Sequence, residues 1–268
     1  MTCPIWILAT DGESVFHNLR FCLCLVIRLD PETPLGKVLC SLPGLNLMMG
    51  HYGLIGTCDP KHIVKRCATL IRSPLGIQIG SVYVSREDIF KALLELENMT
   101  AEKAELLLNP ADKQNVPKAV NLLQSLFDLS GLKMTITPDV LGRIRQIVLL
   151  TKVLTFFLFP FIKVGWSLSQ QIKSLSTYSH LLTALYIKHK TSFITSALHT
   201  DSQAVIKNII FTTARLLQLN DPDIEYFILL EGTDRLEEVF SHSRTHDHSR
   251  NFDILQFGHK LSIGAEIN

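Results

Sequence analysis

Short, wholly apolar runs alternate with amphipathic stretches in the first third of the chain, and beyond it the pattern turns almost wholly helical. Ile5-Trp6-Ile7-Leu8-Ala9 is apolar at every position, which predicts a strand buried on both faces and ending at Thr10-Asp11-Gly12. From Ser14 to Ile27 the apolar residues Val15, Leu19, Cys22 and Val26 recur at helical spacing, until Asp30-Pro31 and Pro34 stop the helix. Leu54 to Cys58 repeats the theme: a second strand ending on Asp59, a turn at Pro60, then a basic amphipathic helix over Ile63 to Ile71. Ile77 to Val84 alternates around Gly80-Ser81, which predicts a small hairpin. Ser85 and Asp88 form a capping box ahead of a helix over Ile89 to Leu96.

The helices expected next cover Thr100 to Leu108, Pro117 to Leu129, Asp139 to Phe159, Val164 to Lys188, Thr191 to Leu198 and Gln203 to Leu219. Asn109-Pro110, Gly131, Pro138, Pro160 and Gly165 separate them. Ile224 to Leu230 suits a strand or the start of a helix, and Asp234 to Arg244 a last helix with Leu236, Val239 and Phe240 inward. The order predicts a partial α/β core interrupted by a large all-α insertion, mostly helical overall. Its divisions fall at 1–98 (core fragment), 99–220 (helical insertion) and 221–268 (returning core helix and tail). Both ends of the chain are abrupt, so it is expected to be a piece of something longer.

Composition adds limits. With 268 residues, 47% apolar, 19% charged and a net charge of +1, the chain is globular in type and long enough for one large domain or two small ones. The near-neutral balance argues against a dedicated nucleic-acid coat protein while leaving local basic faces open. Cys3, Cys22, Cys24, Cys40, Cys58 and Cys67 all lie in the first quarter, behind no basic lead of a secretory signal. Reduced, buried thiols of an intracellular protein are the expectation. Zinc held by Cys22 and Cys24 with Cys58 or His62 is the alternative, at a spacing that fits no structural site. Ile147 to Ile162 is the most apolar run; Lys152 and Pro160 inside it and Lys163 at its end favour a buried core helix over a membrane span.

The candidate chemistry rests on three acids: Asp11 and Asp59 at strand ends, and Glu237 on the last helix. Carboxylates gathered from strand ends and a packed helix are what a two-metal site needs, one ion activating the attacking oxygen and the other stabilising the leaving one. Magnesium suits such a site, since it accepts a few carboxylates and keeps its waters. An acid before a glycine at a strand end also serves as an ordinary turn.

Three stretches in order carry a resemblance: Ala9-Thr10-Asp11-Gly12, Cys58-Asp59-Pro60-Lys61-His62-Ile63-Val64-Lys65, and Thr233-Asp234-Arg235-Leu236-Glu237-Glu238-Val239-Phe240-Ser241 through Arg244. Together they resemble P-element-type DNA transposases; the hAT group shares the layout, and transposon-derived proteins of mushroom-forming fungi are similar. The resemblance implies an RNase-H-like core with a DDE metal triad and a helical insertion before the glutamate. Asp11 stands where that family has its second catalytic aspartate, and Glu237 where it has its glutamate, so both are the implied metal ligands. Asp59 and His62 match the D-x-x-H motif, a supporting element in which the histidine steadies neighbouring carboxylates. Asp112-Lys113-Gln114-Asn115-Val116-Pro117-Lys118-Ala119-Val120 resembles a K-x-N-V-x-x-A stretch of the insertion that binds GTP in that family. DNA as partner and a nuclear location follow by the same analogy, with oligomerisation left open.

The departures are as informative. Residues 1–10 contain no acid, so the family's first aspartate has no counterpart here, and its zinc-type DNA-binding domain is also missing. Ligands of a two-metal site act as a unit, so this chain is expected not to cleave or join DNA on its own. The alternative is a non-catalytic helical module that binds DNA, a nucleotide or a protein. Lys61, Lys65, Arg66 and Arg72 put basic charge on one helix, and Arg143 and Arg145 on another; either set suits phosphate contacts or a solvated face. His242, His246, His248 and His259 cluster near the end, where a polar face is favoured over zinc. No G-x-x-x-x-G-K loop occurs.

Overall fold

The chain runs through β1 (Ile7–Thr10), α1 (Ser14–Cys24), β2 (Ile27–Arg28), α2 (Pro34–Leu39), β3 (Met48–Met49), β4 (Ile55–Cys58) and α3 (Pro60–Arg72). The hairpin β5 (Ile77–Ile79) and β6 (Val82–Val84) follows, then six helices: α4 (Arg86–Leu93), α5 (Ala101–Leu108), α6 (Val116–Asp128), α7 (Pro138–Ile162), α8 (Leu168–His189) and α9 (Ser196–Leu219). A 3-10 turn at Ile228–Leu230 closes the series. The structure, a computed structural model, describes residues 5–10, 14–111, 114–131, 138–221 and 223–233, with backbone alone at 14, 138–141 and 143. Two compact units divide the chain, 1–231 and 232–268, and only Gly232 and Thr233 of the second are described. The fold is mostly helical around a small, partial α/β core.

The core begins with β1 and β4, which pair in parallel from Ile7 opposite Ile55 to Thr10 opposite Cys58. Parallel neighbours need a long crossover, and here residues 11–54 supply it through α1, α2 and the two-residue pair β2–β3. Among the described residues no strand lies on the other edge of β1. That explains why β1 is only half-buried and Ile5 is 77% exposed, where the apolar run predicts a fully buried strand.

Most helices fall where the periodicity puts them, and local chemistry fixes their starts. Ser85 accepts from the Asp88 amide while the Asp88 carboxylate accepts from the Ser85 amide, so the capping box is complete. Ser167 forms the same box with Gln170 at the start of α8, while Thr100, Asn115 and Thr195 cap α5, α6 and α9 by accepting one backbone amide each. α7 contains, over Ile144–Ile162, the one segment among the described residues that is long and apolar enough to cross a membrane. Its Leu150, Val153, Leu154, Phe157 and Leu158 lie in the main core with Leu122, Leu126 and Tyr178, as expected of a core helix.

Three expectations need correction. The first concerns α1, whose apolar residues face outward: Val15 is 70% exposed, and Leu19, Phe21, Cys22 and Leu23 are exposed too. The buried residues of α1 are Arg20 and Cys24. The second concerns 191–219, where one helix, α9, replaces the two expected. The polar run His199-Thr200-Asp201-Ser202 reads as a break, but it is helical because its groups find partners: His199 with Thr183, Asp201 with arginines, Ser202 with Tyr178. The third concerns Ile224 to Leu230, which forms loop and a single 3-10 turn. Thr33 caps α2 with Pro34 in its first turn, so the proline that stops one helix starts another.

Candidate functional site

Asp59 ends β4 and opens α3. Its carboxylate accepts the Lys61 amide at 2.7 Å, and Pro60 fills a first-turn position where a missing N–H costs nothing. The residues preceding the two strand-end acids, Thr10 and Cys58, are register partners, so the chain leaves both strands at the same rim. Asp59 is 2% exposed. It is a cap held inside the fold. His62 sits one turn into α3, half-buried. Asp11, Glu237, Asp234 and the histidines at 242, 246, 248 and 259 lie outside the described residues, as do Asp112 and Lys113.

The α3 helix carries four cations and no acid: Lys61, Lys65, Arg66 and Arg72. They point to different tasks. Arg72 is buried and donates from Nε to the Leu107 carbonyl at 2.8 Å, tying α3 to the end of α5. Lys65 donates to the Gln114 side chain at 3.1 Å, which brings the start of α6 beside α3. Lys61, one turn earlier on the same face, is exposed. Lys118 adds a further basic residue in the first turns of α6.

Arg66 turns inward, to a group that the sequence reading did not single out. Asp201 on α9 is 0% exposed and accepts from three side chains: Arg66 Nη1, Arg20 Nη2 of α1, and His17 Nε2 of α1 at 3.1 Å. A bare carboxylate at this depth would be strongly unfavourable, and paired guanidiniums are the usual remedy. The cluster welds α1, α3 and α9 beneath the sheet. Gly56 on β4 makes room for it: a Cβ there would lie 3.1 Å from the Arg20 side chain. Cys58 stands next to the cluster, and burial first, then the Asp201 charge, pushes its thiol up to about 12. It is a protonated core thiol rather than a nucleophile.

The signal for Asp201 was present but weak. It shares a helix face with Val205, Asn208, Ile209 and Thr212, all buried, and an acid on such a face needs a cation from elsewhere. His17, Arg20 and Cys24 likewise share a face of α1. Among the described residues no group of three His, Cys, Asp or Glu side chains is placed to hold a metal ion. The described part of the 112–120 stretch is engaged in structure: Asn115 caps α6 and Gln114 holds Lys65.

No protein-family model matches the chain, and no curated protein matches it. Its fold is similar to that in the "Drosophila P element transposase strand transfer complex", with a TM-score of 0.57 and 14% identity over 96% of this chain. The chain spans 59% of the length of that transposase chain. At this identity the likeness concerns the fold alone, and the fold is distantly transposase-like.

Proposed function

We propose that this chain derives from a P-element-type transposase and binds duplex DNA through the basic edge of α3 and α6, without cutting or joining it as residues 1–268. The fold likeness across nearly the whole chain is the observation that carries the reading. That neighbour is a transposase in a strand transfer complex. Ties to the hAT group and to fungal transposon-derived proteins rest on the sequence motifs alone.

The non-catalytic half of the proposal rests on the sequence motifs. Two-metal chemistry needs several carboxylates open to the ions. Asp59 is buried as a helix cap, and Asp201 is held by two arginines. Asp11 and Glu237 would supply two ligands, and none of residues 1–10 is acidic. These residues do not make a complete magnesium site. For GTP, Gln114 and Asn115 are engaged in the contact to α3 and in capping, so the nucleotide reading stays a proposal that a GTP-dependent rise in Tm would support. A nuclear location accompanies the DNA reading.

DNA contacts fall to Lys61, Lys65 and Lys118, since each phosphate neutralised by a lysine releases counterions. Supercoiled plasmid incubated with the purified chain and magnesium should shift in a gel and stay supercoiled. Nicked circles that vanish with Glu237→Gln would overturn the non-catalytic reading, and absence of any shift would count against DNA binding.

A further inference from the structure

A cavity of about 220 Å³ lies between α1, α9 and the loop before β3, and the DNA reading makes no use of it. Phe21, Cys24, Leu25 and Ala204 give it an apolar wall, yet Arg20 and Lys207 also line it, each only 7% exposed. Arg20 donates one Nη2 bond to Asp201, and its Nε and Nη1 are buried without an acceptor. Lys207 donates to the Met48 carbonyl, one bond for an ammonium with three donors. Asp201 is shared between Arg20 and Arg66, so with Lys207 the cations here outnumber the carboxylate. Burial has already drawn the Lys207 ammonium down to about 8. Buried polar groups almost always find partners, and orphaned guanidinium donors beside an apolar cavity call for an acceptor that comes from outside the chain.

We propose that this cavity binds a small organic anion, a carboxylate or phosphomonoester, with its head group against Arg20 and Lys207 and a compact apolar body against Phe21, Leu25 and Ala204. The charge excess selects the head, and the wall selects the body. Asn46 and Gln203, also on the lining, offer amides to a head group with more than one oxygen. The site is independent of the DNA reading.

Isothermal titration of the full chain with hexanoate, phenyl phosphate, hexanol and inorganic phosphate tests the proposal. At least one organic anion should bind saturably at one site. Hexanol, which lacks the charge, and inorganic phosphate, which lacks the body, should each bind about tenfold more weakly or not at all, in line with a charged hydrogen bond. Lys207→Met should weaken the organic anion by about tenfold. Ala204→Leu keeps both cations and fills the space; it should abolish binding while the thermal transition is retained, and it remains informative if Lys207→Met does not fold. Saturable binding by neither organic anion, hexanol or inorganic phosphate matching them, or undiminished binding by Ala204→Leu would each overturn the proposal.

Discussion

Asp201 holds Arg20, Arg66 and His17 together inside the fold, and its removal exposes what it holds. Without it, Arg20 and Arg66 face each other across the base of the sheet with no counter-charge. Breaking a buried ion pair by removing one partner costs about 3–5 kcal/mol. Asp201→Ala should lose about that much in urea unfolding, and Asp201→Asn nearly as much, since an amide restores the shape but not the charge. A loss below about 1 kcal/mol, the level of a surface pair, would remove Asp201 from the centre of the fold. The pH dependence follows from burial. Lys207 falls from 10.5 to about 8 on folding, so between those values the unfolded chain holds more protons and stability rises with pH. Cys58 and Cys67 act in the opposite sense: burial lifts both from 9.0 to about 12, and above 9 their unfolded thiols ionise first. Burial raises the Cys24 thiol and the Tyr178 and Tyr226 hydroxyls as well, and together these groups outweigh one amine. Unfolding free energies from urea titrations should therefore peak near pH 9 and fall beyond it, and Cys67→Ala should flatten the fall.

At the scale of elements, α1 and α3 make a contrast. α3 is legible because its start is written locally: an acid cap, a proline behind it, and the apolar residues Ile63, Val64, Cys67 and Ile71 on the buried face. α1 has an equally regular apolar stripe, yet that stripe faces solvent, because Asp201 draws in His17 and Arg20 from the other side. A long-range charge partner decides the orientation, and periodicity contains no trace of it. Phe21→Gln and Val15→Gln should therefore shift stability by no more than about 0.5 kcal/mol, as surface changes do, whereas the sequence pattern alone would make Val15 a core residue. Asp59→Ala should cost about 1 kcal/mol, the usual worth of a helix cap. Asp59→Asn should cost little, since asparagine caps as well as aspartate. Denaturant midpoints decide both pairs, and an Asp59→Asn variant as damaged as Asp59→Ala would mean that the charge, not the cap, matters there.

For the whole molecule, the order of elements and a mostly helical fold around a small, partial α/β core were readable from the chain, because strands that end on acids and helices with strong caps announce themselves. How the helical block meets the core was not. α9 packs on β4 and α3 through residues as different as Asp201 and Phe211 and reaches β3 through Lys207, and the partners of its polar start lie far away in the chain. Of the site, Asp59 was found at its strand end and the α3 cations on one helix, but the inward turn of Arg66 depends on α9. Asp11 and Glu237 remain outside the described residues, so the claim that can be tested on this fold is binding rather than catalysis. Fluorescence anisotropy of a labelled 20-base-pair duplex against the purified chain, repeated from low to physiological salt, tests it most directly. The account predicts saturable binding that weakens steeply with salt and that Lys61→Glu with Lys65→Glu reduces by about tenfold or more. No saturable binding at low salt, or binding that ignores both salt and the two substitutions, would contradict it.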